Sequence, residues 1–154
     1  MKIQKLFLLL LLTSLRLHVV AQQLPAGIES ALNTDDAVKF SSLVTKDNIN
    51  NCYQDGNWQY TLLAQTIRSR AKKCFDVLIE KGADVNKACE GYVPPLFHAA
   101  KYGSLEMVKT LVAKGANVHY QYNGEYEPAN GETPLTYAEK NNQPEVAAFL
   151  RTKQ

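Results

Sequence analysis

Cysteine is scarce in this 154-residue chain, which has three. That is too few for a small domain stapled by several disulfides. Eight glycines and six prolines are too few for a collagen-like or low-complexity chain. An excess of one charge sign is missing as well, since 17 Lys+Arg against 15 Asp+Glu leave a formal +2. No apolar run approaches the roughly 20 residues a membrane-spanning helix needs, and Leu6–Leu12 has only seven. What is present, 45% hydrophobic and 21% charged residues, is the make-up of an ordinary globular domain.

The N-terminus has its own logic. Lys2 and Lys5 flank the start of the apolar run, and Val19-Val20-Ala21 precedes Gln22 with residues a signal peptidase accepts. A basic start, a short apolar centre and a small residue at the cut site describe a secretory signal peptide over residues 1–21. Arg16 sits late in that segment, so an uncleaved anchor is the alternative. The expectation is export, periplasmic or secreted, with no stable membrane insertion after cleavage. Loss of Lys2, Lys5 and Arg16 leaves 14 Lys+Arg against 15 Asp+Glu, a net −1. A mixed, near-neutral surface offers no footprint for nucleic acid.

The remainder, residues 22–154, repeats itself. Lys81-Gly82-Ala83-Asp84-Val85-Asn86 recurs as Lys114-Gly115-Ala116-Asn117-Val118-His119, an offset of 33. In that register Leu78-Ile79 falls on Leu111-Val112, and Leu63 on Leu96. Thr133-Pro134-Leu135 repeats Pro94-Pro95-Leu96 at an offset of 39, where Leu150 also meets Leu111. Phe40, Leu43 and Val44 take the same apolar positions near the start. Each unit has a short apolar stretch beginning near Pro or Thr, as at Pro95–Tyr102. A second stretch carries apolar pairs one turn apart, such as Phe75/Leu78/Ile79, the stripe of an amphipathic helix. Gly82 and Gly115 follow those stripes, where a left-handed residue closes a helix.

With this period, and Pro95-Leu96, Ala99-Ala100, Gly103, Leu105-Glu106, Leu111 and Gly115-Ala116 in place, the chain resembles the ankyrin-repeat family. The resemblance implies an all-α solenoid of stacked helix-turn-helix units with short β-turn fingers, forming a single domain over 22–154. Its units are an N-terminal cap at about 27–50, repeats at about 59–88 and 92–120, and a C-terminal cap at about 131–152. Arg151 stands where Ile79 and Val112 stand earlier, which suits a solvent-facing end. Departures are also plain. The family histidine is replaced by Ala64, Phe97 and Thr136, so the polar links between units should be looser. Arg70 takes the helix-turn position of Gly103 and puts the tightness of that turn in doubt.

Little points to chemistry. His98 and His119 lack the Cys or carboxylate neighbours a zinc site needs, and no nucleophile–base–acid set, phosphate loop or carboxylate pair is recognisable. No catalytic residue, metal or cofactor is expected. Cys74 falls on the apolar position of Met107 and reads as a buried small hydrophobe. Cys52 and Cys89 fall in loops that the resemblance makes neighbouring fingers. Units stack at roughly 10 Å and a disulfide needs Cα atoms within about 7 Å. The pair is therefore bridged if the irregular first finger closes the gap, and free otherwise. The basic run Arg68, Arg70, Lys72, Lys73 reads as a solvated turn.

The most informative insertion is the six-residue excess between Val118 and Thr133. Bulky and polar residues alternate there around Asn123-Gly124, the strongest short signal for a two-residue hairpin turn. One finger should thus extend as a β-hairpin carrying Tyr120, Tyr122 and Tyr126. Trp58, Tyr60 and Tyr92 lie in the two earlier fingers. These six aromatics either cover the last unit or form a contact surface; on the second reading, alanine at Tyr122 or Tyr126 weakens binding without lowering the melting temperature. The resemblance implies a monomeric, non-catalytic module that binds a protein partner, an adaptor or inhibitor. The alternative is an enzyme or small-ligand-binding protein whose site the sequence does not display.

Overall fold

A computed structural model describes residues 22–154, and the signal peptide expected over 1–21 lies outside the described residues. Eight α-helices among these residues pair into four units. They are α1 (Ala26–Asn33) with α2 (Ala37–Leu43), and α3 (Leu62–Arg68) with α4 (Lys72–Glu80). Then come α5 (Pro95–Tyr102) with α6 (Leu105–Ala113), and α7 (Pro134–Lys140) with α8 (Pro144–Arg151). First helices stack on first helices, α3 on α5 and α5 on α7, while α2 packs on α4 and α6 on α8.

Local chemistry sets the helix ends. Pro95, Pro134 and Pro144 open their helices, where a missing N–H has no helical partner to lose. Thr61 and Thr133 cap α3 and α7 by accepting from the backbone N–H of Ala64 and Thr136, each cap being worth about 1 kcal/mol. Within each pair the chain turns through one left-handed residue: Asp35, Arg70, Gly103 and Asn142, with φ of 48°, 56°, 69° and 56°. Arg70 therefore keeps the turn tight and bears the steric cost of a Cβ at positive φ.

The core runs the length of the stack through Phe40, Phe75, Leu78, Val108, Leu111, Val146 and Leu150, all essentially inaccessible. Burying each such side chain contributes about 1.5–3 kcal/mol. At the far end Arg151 is exposed and pairs with Glu139. In place of the family histidine, other side chains supply polar links between units. Asp35 accepts from the backbone N–H groups of Lys73 (3.1 Å) and Cys74 (2.9 Å) at the start of α4. Asn50 accepts from Asp84 N–H, and Asn86 from Asn117 N–H, both at 2.9 Å. Asn86 also donates to the Gly115 carbonyl at 3.0 Å, and Gln143 donates to the Lys101 carbonyl at 3.2 Å.

The all-α expectation needs one amendment and one correction. Strands β1 (Gln22–Gln23), β2 (Cys52–Asp55) and β3 (Trp58–Thr61) form a small sheet, with β1 parallel and β3 antiparallel to β2. Asp55 lies opposite Trp58, leaving Gly56-Asn57 as a two-residue turn with Gly56 at φ 60°. Glycine at the first central position is the preference of a type II′ hairpin. The hairpin is thus in the first finger. Residues 119–126 hold no strand, because Tyr122 pairs its backbone with Gly131 (2.7 Å) and Glu132 (2.9 Å) instead of with a neighbour across Asn123-Gly124. Its ring folds back over Gly124, where a Cβ would lie 2.5 Å from Tyr122 Cζ. That glycine makes room for a ring and is not left-handed.

Candidate functional site

Alternation along β3 puts Trp58 and Tyr60 on one face of the hairpin. The second finger brings Tyr92 beside them, and the short 3₁₀ turn Glu127–Ala129 follows Tyr126 in the third. The result is a row of rings crossing three fingers. Trp58 meets Tyr92 edge-on at 5.7 Å and Tyr126 at 5.6 Å, while Tyr60 lies 5.9 Å from Tyr92. The Tyr92 hydroxyl donates to the Asn57 carbonyl at the hairpin turn (3.2 Å). Contacts of this geometry contribute about 0.5–1.5 kcal/mol each beyond burial, so the row is held in place before anything binds.

Exposure divides the six aromatics. Trp58 is 43% and Tyr120 39% accessible, and Tyr92 and Tyr126 are partly covered. Tyr60 and Tyr122, expected as contact residues, are buried at 7% and 3%. Both are supports. The Tyr60 ring is contacted by the Arg68 guanidinium, 3.9 Å from its centroid, and by His98 edge-on at 5.3 Å. Its phenol is pushed above the usual range by burial, with Arg68 opposing. Tyr122 donates from its hydroxyl to the Gly91 carbonyl (2.6 Å) and accepts there from Tyr126 N–H (3.0 Å). It sits with Val93, Phe97, Ala129 and Tyr137 in a second apolar cluster, on which Tyr126 packs. Tyr120 leans edge-on against the same Phe97 at 6.2 Å.

Arg68 does not sit on a solvated turn as the basic run suggests; it packs against the row. It donates to the Tyr102 hydroxyl (3.2 Å) and pairs with Asp55 at 3.4 Å. Its position in the last turn of α3, directly after β3, swings it over Tyr60. His98 lies under the Tyr60 ring, 6% exposed. Its pKa is lowered to about 3, first by burial and then by the charges of Arg68 and Lys101, so the imidazole is neutral near pH 7. Lys72 pairs with Asp76 at 2.6 Å.

The hairpin also sets the cysteines. Cys52 opens β2, and its Sγ lies 2.08 Å from that of Cys89 in the second finger, with the Cα atoms 5.8 Å apart. This bond ties the two fingers that carry Trp58 and Tyr92. Cys74 is fully buried, its thiol pushed up to about 12 chiefly by burial. Among the described residues no group of three or more His, Cys, Asp or Glu stands where it could hold a metal ion. No helix among them is long and apolar enough to cross a membrane. A polar cleft lined by Gln23, Glu29, Asn33, Gln54, Gln65 and Ser69 opens between α1, the hairpin and α3.

Comparison with known proteins agrees with this architecture. Residues 27–122 match the family model for ankyrin repeats in three copies, and residues 96–151 the model for ankyrin repeats in many copies. Over 62 residues, 40% of the chain, it is 45% identical to the human ankyrin repeat and KH domain-containing protein 1. That match spans 2% of the human protein's length.

Proposed function

Because the chain belongs to the ankyrin-repeat family, whose repeats are generally protein–protein interaction modules, we propose that it is a non-catalytic adaptor or inhibitor. It acts as a monomer after export, in the periplasm or outside the cell, by holding a protein partner against its fingers. The observation that carries this reading is the row of rings across three fingers, open to solvent at Trp58, together with the exposed Tyr120 that packs on Phe97. Large rings with few rotatable bonds lose little entropy on contact, and Trp and Tyr are the residues on which interface energy concentrates. Stacked units and the Cys52–Cys89 link keep the row preorganised, which lowers the cost of association.

The other reading, an enzyme or small-ligand protein built around His98, has less support, since the Tyr60 ring closes that imidazole off. Affinity capture from the native exported fraction tests the interaction reading. The bait is the chain from Gln22 onward, which contains every element described above, set beside a Trp58→Ala/Tyr120→Ala bait of matched melting temperature. A partner held by the first bait and lost by the second is expected. A partner held equally by both places the contact elsewhere. Capture of nothing by a folded bait removes the reading.

A further inference from the structure

The surroundings of the row carry a charge pattern that names the chemistry of its occupant. Residues 52–61, 89–94 and 119–133, which supply the six aromatics, contain Asp55, Glu90, Glu125, Glu127 and Glu132 and not one Lys or Arg. Asp55 and Glu132 are spent on Arg68 (3.4 Å) and Lys140 (2.9 Å). Glu90, Glu125 and Glu127 are exposed, and none has a cationic partner among the described residues. Each lies one or two residues from a ring of the row: Glu90 before Tyr92, Glu125 and Glu127 on either side of Tyr126. A partly open aromatic row therefore has three exposed carboxylates next to its rings in the chain, none of them paired with a cation among the described residues.

The fold already shows what such rings accept. At the inner end of the row the Arg68 guanidinium stacks on Tyr60 at 3.9 Å while pairing with a carboxylate, Asp55. The same two elements recur at the outer end, around Trp58, Tyr92 and Tyr126, with no arginine of this chain supplied. Guanidinium groups combine stacking on aromatic faces with paired bonding to carboxylates, and an ammonium does only part of this.

Resting on the interaction reading above, we infer that the row takes an arginine-rich, extended segment of the protein partner, with guanidinium groups on Trp58, Tyr92 and Tyr126 and their charge met by Glu90, Glu125 and Glu127. Rim charges of this kind govern encounter and salt dependence, so affinity falls as ionic strength rises.

Trp58 is the sole tryptophan of the chain and reports occupancy directly. The chain from Gln22 onward is titrated with a peptide of six arginines spaced by glycine and serine, with lysine and glutamate versions alongside. The arginine peptide should change Trp58 emission saturably, and its affinity should drop about tenfold between low salt and 0.3 M salt. The lysine peptide should bind more weakly and the glutamate peptide not at all. A Glu90→Gln/Glu125→Gln/Glu127→Gln variant, with charge removed and ring contacts intact, should weaken the arginine peptide by about tenfold or more. No saturable change, or an equal response to the glutamate peptide, overturns the inference. Emission that depends on protein concentration without peptide also overturns it, by making a second copy's Arg70, Lys72 and Lys73 the occupant. If the triple variant still captures the natural partner while Trp58→Ala/Tyr120→Ala does not, the arginine assignment fails and the interaction reading stands.

Discussion

Tyr122 offers the sharpest test of how the third finger is built. A ring projecting from a hairpin would be dispensable for stability, whereas the structure makes this ring a brace, 3% exposed and bonded to Gly91 of the second finger and to Tyr126 of its own. Tyr122→Phe keeps the ring and removes the hydroxyl, orphaning the Gly91 carbonyl and Tyr126 N–H. Two such bonds cost about 1–3 kcal/mol together. For the 133 residues from 22 to 154 the unfolding entropy is roughly 0.28 kcal/mol per kelvin, so the melting temperature should fall by about 4–11 °C. Tyr122→Ala also empties the space against Phe97 and should cost about 3–5 kcal/mol, a fall of roughly 11–18 °C. Gly124→Ala approaches the same ring from the other side. Since Gly124 is not left-handed, any destabilisation it causes comes from pushing on Tyr122. Thermal unfolding followed by circular dichroism measures all three. A Tyr122→Ala protein melting within about 2 °C of wild type would refute the brace and restore the projecting hairpin.

Three further outcomes follow from other parts of the molecule. Cys52 and Cys89 close a loop of 37 residues, for which chain entropy gives about 4 kcal/mol. Cys52→Ala/Cys89→Ala, or reduction, should lower the melting temperature by up to about 14 °C, and peptide mapping of the oxidised protein should recover the 52–89 pair with Cys74 free. His98 has a folded pKa near 3 against about 6.5 unfolded. Between those values the unfolded chain binds the extra proton, so stability should fall as pH drops from about 6.5 towards 3. His98→Phe should flatten that slope in urea titrations at several pH values, and an unchanged slope would contradict the burial of the imidazole. Arg70 carries a Cβ at φ 56°, so Arg70→Gly should stabilise by about 0.5–1 kcal/mol, read in the same melts; loss of stability would mean that its side chain matters more than its backbone.

Much of the architecture was legible in the sequence because stacking imposes a period on apolar residues, and Leu78/Leu111/Leu150 could be aligned by eye. Helix starts at Pro95 and Pro134 followed from proline's chemistry. The fingers were read less well, since two-residue turn signals do not say what the neighbouring rings will do. Asn123-Gly124 looked like a hairpin turn, yet its glycine serves the Tyr122 ring. The true hairpin carried a signal of the same kind, Gly56-Asn57 between Cys52–Asp55 and Trp58–Thr61, where aromatic residues alternate with polar ones on the second strand. The aromatics of the candidate site were found from residue type and loop position. Which of them support and which face outward depended on Arg68, one helix further along the chain, and on His98 and Phe97, long-range neighbours that no local spacing reveals.

The central claim is that a partner sits on the ring row, and site-directed photo-crosslinking tests it most directly. A photoreactive phenylalanine is placed in turn at Trp58, at Tyr120 and at Val38, the last 83% exposed on α2 of the N-terminal unit. Each protein is irradiated in the native exported fraction. The same adduct from positions 58 and 120, absent from position 38 and suppressed by excess unlabelled wild-type chain, is the predicted result. An adduct formed at position 38 but at neither 58 nor 120 would contradict the account.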